Sequence, residues 1–165
     1  METIKRLEAG NSKFKQGYYQ PDYPEKYQGD ITKIFFRSSW ERRFAVQYLD
    51  NNPNCLSWCS EEIPIPYYYP IDQKMHNYFI DFFCILKQND NTNKGVFIEI
   101  KPYKSLSPPI LKETIRTSTK RITQYNKECA EYIKNLAKFN AAKEFAIQRN
   151  CDFIVITEKD LRLQS

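Results

Sequence analysis

A chain of 165 residues is long enough for one domain with a buried core, and its 41% hydrophobic content, with 12 tyrosines, 11 phenylalanines and only 4 glycines, excludes a disordered chain. No apolar run reaches the ~20 residues of a membrane span, and residues 1–15 hold no apolar signal-peptide core, so a cytoplasm is the expected location. The net charge of +5 has the sign that suits a polyanion such as DNA, although charge alone describes an ordinary basic protein just as well.

In chain order, residues 1–33 are rich in Lys, Tyr, Gln and Pro without a sustained period. With Tyr18-Tyr19-Gln20-Pro21-Asp22-Tyr23-Pro24 they read as an extended basic arm, free to lie on the domain, on DNA or on a partner, and the folded domain is set at 34–165. A helix is predicted from Ser38, which can cap it with Glu41 three residues on. Trp40, Phe44 and Tyr48 give that helix one apolar face, and Asp50-Asn51-Asn52-Pro53 ends it.

Strands follow. Leu56 to Ile65 is one candidate, limited by Pro64 and Pro66. Tyr78 to Leu86 is almost wholly apolar and reads as a central strand. Residues 88–95 form a turn, Val96 to Lys101 is the next strand, and Pro102 ends it. After a loop at 105–109, a helical region runs from about Ser118 to Arg149 with an expected break near Lys138-Phe139-Asn140. Asp152 to Thr157 is a last buried strand. This order predicts an α/β sandwich around a mixed sheet.

The 5 cysteines (Cys55, Cys59, Cys84, Cys129 and Cys151) are odd in number, and the only histidine is His76. They offer no second ligand pair for a four-ligand zinc site, and they read as small core hydrophobes. A Ser/His/Asp or Cys/His site would rest on His76 alone.

The chemistry lies in the strands. Asp81 interrupts an apolar run, and a buried carboxylate needs a partner or a metal. Glu99 lies in Val96-Phe97-Ile98-Glu99-Ile100-Lys101, where alternation puts Glu99 and Lys101 on one face and Ile98 and Ile100 on the other. The midpoint of Asp81 and Glu99 is residue 90, inside the turn, so a symmetric hairpin makes them cross-strand neighbours within about 5–8 Å. A hard divalent cation such as Mg²⁺ relieves their repulsion. It would polarise a phosphate oxygen and acidify a bound water, with Lys101 orienting the water or stabilising the phosphorane. Glu-x-Lys on a strand also occurs as a plain salt bridge.

Glu41 has two readings, a helix cap or a third acidic residue near the metal. Arg37, Arg42, Arg43 and Lys104 are candidate phosphate ligands, as are Lys112, Lys120 and Arg121, each of which alone reads as a surface charge. Tyr67-Tyr68-Tyr69 suits strand-end packing better than base stacking, and His76 suits a structural hydrogen bond.

Several stretches carry a resemblance: Pro24-Glu25-Lys26-Tyr27 with Gly29-Asp30, Arg37-Ser38-Ser39-Trp40-Glu41, Ser60-Glu61-Glu62-Ile63 with Ile65-Pro66-Tyr67, His76 to Phe82, Glu99-Ile100-Lys101-Pro102, and Phe153 to Glu158. On these the chain resembles the head completion nucleases of contractile-tailed bacteriophages, a branch of the PD-(D/E)XK superfamily, and is similar to the N-terminal nuclease domain of TnsA transposon endonucleases. Ile80 stands where the superfamily pattern has proline.

The resemblance implies a restriction-endonuclease-like mixed sheet flanked by helices. It implies Asp81 and Glu99 as metal ligands with the Ile100 main-chain carbonyl, Glu41 as the added acid acting directly or through water, and Lys101 as the catalytic lysine. Mg²⁺ is the expected cofactor, with Mn²⁺ able to substitute. The implied setting is phage assembly in the host cytoplasm or in the virion, where the enzyme acts on packaged DNA ends with head, portal or neck proteins as partners. Double-strand cuts need two active sites, hence a homodimer or two visits. The alternatives are a head or neck component that keeps a nuclease fold, and a TnsA-like transposition endonuclease.

Overall fold

A computed structural model describes residues 16–111 and 118–162. Within them the order is β1 (Gly17–Tyr18), β2 (Phe35–Phe36), α1 (Ser39–Phe44), β3 (Cys55–Ser60), β4 (Pro64–Tyr69), β5 (Lys74–Phe79), β6 (Phe82–Lys87), β7 (Asn93–Ile100), α2 (Thr119–Ile147), β8 (Asp152–Ile156) and α3 (Glu158–Arg162). The central sheet runs β3-β6-β7-β8, antiparallel except for the parallel pair β7–β8. α2 lies in the crossover that a parallel pair requires. The fold is therefore α/β with a mixed sheet between helices, consistent with the restriction-endonuclease-like architecture.

Alternation along β7 sorts the core. Val96, Ile98 and Ile100 join Phe44, Leu49 and Leu161 on the face covered by α1 and α3. Phe97 points the other way, onto Phe145 of α2 at 5.5 Å between ring centroids. Glu99 and Lys101 follow Phe97 in phase and so belong to the α2 face.

The structure corrects both long strands. In place of Leu56–Ile65 there are β3 and β4, and in place of Tyr78–Leu86 there are β5 and β6; β4 and β5 form a separate two-stranded ribbon. Ser60 pairs with Phe82, but beyond the break Ile80 N–H donates to the Ile63 carbonyl (3.3 Å) and Ile65 pairs with Tyr78. Two residues, Glu61 and Glu62, thus stand opposite the single Asp81. That is a β-bulge, and Glu61 takes the left-handed backbone (φ 52°).

Past the bulge the ribbon turns over. Ile80 packs on the α2 face while Phe82, two residues later, packs on the α1 face. Pro64 and Pro66 lie inside β4 because they alternate with the residues that pair to β5 by hydrogen bonds, which leaves their nitrogens on the open edge.

α1 begins with the expected Ser38 cap: Ser38 Oγ accepts from Glu41 N (3.1 Å) and donates to Glu41 Oε1 (2.9 Å), while the other Glu41 oxygen takes the Arg37 N–H rather than that of Ser38. The helix widens to a π-helix over Ala45–Asp50, and Phe44 and Tyr48 stack at 5.2 Å. α2 runs unbroken through residues 138–140, contrary to the expected break, because Phe139 packs on Phe153 while Ala142 and Ala146 seat the helix on the sheet.

From residue 16 the segment read as an arm lies on the domain. β1 pairs with β2, Tyr27 is buried with its ring 4.8 Å from Trp58, and the segment reaches Asp50 through Tyr19, Asp22 and Tyr23. Residues 1–15 fall outside the described residues.

Candidate active site

The β6–β7 ladder pairs Phe82 with Ile98, which is a hairpin symmetric about residue 90, and the next position brings Asp81 opposite Glu99. Asp81 sits at the bulge, just past the last rung. Its Oδ2 accepts the Ile100 N–H at 2.7 Å, a bond that ties the two strands together across the site. Glu99 is buried, and its Oε1 lies 3.0 Å from Lys101 Nζ. Lys101 is held in turn by its main-chain N–H, which donates to Ile156 of β8 at 3.0 Å.

The electrostatics follow from this geometry. Burial, then the charge of Glu99, pushes the Asp81 carboxyl well above the usual carboxylate range, and the Ile100 N–H only partly offsets them. Burial also raises Glu99, against the pull of Lys101. For Lys101 burial opposes the charge, but Glu99 and Asp81 together outweigh it and hold the ammonium above its ordinary value. Two carboxyls and one lysine therefore share a poorly solvated spot with too little positive charge.

One oxygen records that deficit. Glu99 Oε2 is fully buried and has no hydrogen-bond partner. An orphaned carboxylate oxygen costs about 1–3 kcal/mol or more, and a hard cation between it and Asp81 would satisfy it. Among the described residues no three of His, Cys, Asp and Glu gather around one point. The residues fit Mg²⁺, which keeps several waters and takes only one or two protein carboxylates; they do not fit a structural zinc site.

The cleft over this pair encloses about 490 Å³ and is lined by Arg37, Glu61, Tyr78, Phe79, Asp81, Glu99, Lys101 and Lys138. A smaller cavity of about 260 Å³ on the opposite face of the sheet is mostly apolar and carries none of these charges. The family model for the N-terminal domain of TnsA-like endonucleases matches residues 52–158. The chain belongs to this family. It is also 35% identical over 146 residues to the head completion nuclease of Enterobacteria phage T4, which covers 88% of this chain and 93% of that one. No solved structure matches.

In this endonuclease-family chain the sequence-predicted residues are brought together only in part. Asp81, Glu99 and Lys101 converge. Glu41 raises the Asp81 carboxyl by its charge, so it lies near, but its two oxygens are engaged by Ser38 Oγ and by Arg37 N–H (2.9 Å each). It also precedes the matched stretch. Arg37 lines the cleft and forms an ion pair with Glu61.

Arg42, Arg43 and Lys104 are absent from the lining, and the charge of Arg42 acts instead on the Tyr19 hydroxyl. Lys120 and Arg121 lie at the start of α2, and Lys112 is outside the described residues. His76 bonds Asp72 at 2.7 Å, and Tyr67 packs under α2.

Glu61, Tyr78, Phe79 and Lys138 were not anticipated from the sequence. Lys138 had a readable signal. Lys138 shares one face of α2 with Ala142 and Ala146, one and two turns further on, and those alanines seat the helix on the sheet.

Proposed function

We propose that the chain is a metal-dependent DNA endonuclease that trims DNA at the completed phage head, with Asp81 and Glu99 holding Mg²⁺ (or Mn²⁺). The observation that carries this reading is the buried, partnerless Glu99 Oε2 facing a second carboxyl beside a lysine. The Ile100 carbonyl points to the same side of β7 as its N–H, toward Asp81 and beyond the last rung, where it can add a third oxygen. Mg²⁺ bound there would supply Lewis-acid polarisation of the scissile phosphate and a water of lowered pKa.

The chain's own residues do the rest. The Ile100 N–H fixes one Asp81 oxygen and leaves the other for the site. Lys101, clamped between its own strand pairing and Glu99, presents an ammonium that orients the attacking water and stabilises charge growing on the phosphorane. Glu41 acts from outside this group, through Asp81 or a bridging water. Arg37 holds a flanking phosphate once DNA competes with Glu61 for it. A cut through both strands uses two copies of the site, by dimerisation or by a second visit.

The role in head completion rests on the near full-length relation to the phage T4 protein of that name, and portal or neck proteins are the partners it suggests. The TnsA-like family match favours a second reading, an endonuclease acting in transposition. Infection with a phage lacking this chain separates the two: filled heads that fail to join tails support the first, and normal virions the second.

The chemistry is tested with supercoiled and linear plasmid, wild-type protein, and folded Glu99→Ala and Lys101→Ala variants, in Mg²⁺, in Mn²⁺ and in chelator. Cleavage by wild type alone, and only with metal, is the expected result. Cutting that survives excess chelator overturns the metal reading. Folded wild type that is inert on every DNA form means that the chain needs a partner or a special DNA end, or serves mainly as a structural head component with a nuclease fold.

A further inference from the structure

The lysine in the cleft that the reaction above does not use is Lys138. It comes from α2, across the site from β7, and it lines the same cavity as Asp81, Glu99 and Lys101. Its ammonium lies over two rings, 5.1 Å from the centroid of Tyr78 and 5.7 Å from that of Tyr67. The Tyr78 hydroxyl donates to the Lys138 main-chain carbonyl at 3.1 Å, so the same tyrosine that carries the ammonium also pins the backbone beneath it.

The other two cations of the cleft have carboxylate partners: Lys101 has Glu99 and Arg37 has Glu61. Lys138 has aromatic faces instead. Burial and the like charge of Lys101 work against its ammonium and outweigh the favourable charges of Glu99 and Glu131. A half-buried ammonium held this way gains little for the fold that a leucine or methionine stem would not also give.

Charge counting gives it a purpose. The lining holds three acids (Glu61, Asp81 and Glu99) and three bases (Arg37, Lys101 and Lys138), so it is formally neutral. A divalent cation on Asp81 and Glu99 leaves the lining with a surplus of two positive charges, and Lys138 then has no anion to answer it within the cleft; Glu131, which also acts on it, lies outside the lining. A phosphodiester entering the cleft supplies one.

We propose that Lys138 is a second phosphate-binding lysine of the site: a counter-ion to Asp81 and Glu99 before metal arrives, and a clamp on the DNA backbone next to the scissile phosphate afterwards. The proposal rests on the endonuclease reading above. It makes an opposite-sign prediction that a packing role does not make. Removing the ammonium takes a like charge away from the metal and an attractive charge away from the phosphate, so metal binding tightens while DNA binding weakens.

The experiment compares wild type, Lys138→Met and Lys138→Arg in the full chain. The Mg²⁺ midpoint is read without DNA from the thermal shift. Binding of a short duplex is measured in Ca²⁺ over a range of salt, and single-turnover cleavage in Mg²⁺. For Lys138→Met the expected Mg²⁺ midpoint is about fivefold lower. The slope of log affinity against log salt falls by about 0.9, and cleavage slows by about a hundredfold. Lys138→Arg restores the salt slope.

Unchanged slope and cleavage in Lys138→Met overturn the proposal. So does a loss of Mg²⁺ and DNA affinity together, which is the mark of a structural residue. If wild type itself neither binds Mg²⁺ nor cuts DNA, the endonuclease reading fails and this inference fails with it; wild type that cuts while Lys138→Met cuts equally well fails this inference alone.

Discussion

Asp50 and Glu99 are equally hidden from solvent, at 0% and 3% exposure, and their surroundings treat them in opposite ways. The Asp50 carboxylate accepts the Tyr19 hydroxyl at 2.6 Å and the main-chain N–H groups of Asp22 (2.7 Å) and Tyr23 (3.2 Å), while Lys26 Nζ donates to its carbonyl at 2.8 Å. Every bond holds the N-terminal segment onto the end of the α1 region. Glu99 has one lysine on one oxygen, no donor on the other, and the carboxyl of Asp81 facing it across the strands. A buried charge whose lone pairs are used up serves the fold. One left short of donors beside a like charge is held for something that arrives later.

The largest effect that would break this contrast is on catalysis. Glu99→Ala or Lys101→Ala is expected to lower plasmid cleavage by about a thousandfold or more, with melting temperatures close to wild type. Asp50→Ala is expected to do the reverse. It strands a buried hydroxyl and two main-chain donors, at a cost of roughly 3 kcal/mol, read as a lower urea midpoint, while cleavage at a temperature where the variant stays folded changes by no more than about twofold. If Asp50→Ala is inactive though folded, or if Glu99→Ala unfolds the chain, the division of labour between the two carboxylates is wrong.

The sequence exposed the site more clearly than the frame around it. The polar turn at 88–95 fixed the hairpin centre, and a symmetric hairpin brings Asp81 to Glu99 without further knowledge; the observed pairing of Phe82 with Ile98 has that symmetry. The break at Asp81 was hidden because Tyr78 to Leu86 is apolar on both faces. Such a run reads the same whether it stays in one sheet or turns over at a bulge.

Glu61 reaches the cleft from a bulge, to which no local pattern points; Lys138 comes from a helix remote in sequence, where only its phase with Ala142 and Ala146 turns it toward the sheet. Where the Tyr-rich start of the chain lies stayed open in the sequence because its partners, Trp58 and Asp50, come some thirty residues on. Asp50 itself read only as a helix stop.

The smallest effect is the sharpest test of the unpaired charge. Asp81→Asn keeps an oxygen for the Ile100 N–H and removes the charge opposite Glu99, so it should abolish cleavage yet stabilise the metal-free protein by about 1 kcal/mol. The pH dependence carries the sign. The Asp81 carboxyl is raised from an ordinary 3.8 to about 8, by burial first and by Glu99 second. The folded state therefore binds more protons than the unfolded state across that window, and wild-type stability falls as pH rises through it.

In chelator, the melting temperature of wild type should drop between pH 5 and pH 8 more steeply than that of Asp81→Asn, whose remaining slope comes from Glu99. The gap between the two proteins is then widest near pH 8. Adding Mg²⁺ at that pH should close it by raising wild type and leaving the variant almost unmoved, because the cation binds where the excess charge lies. Parallel pH profiles in chelator, or an equal Mg²⁺ shift in both proteins, would place the metal elsewhere and return Asp81 to the same structural class as Asp50.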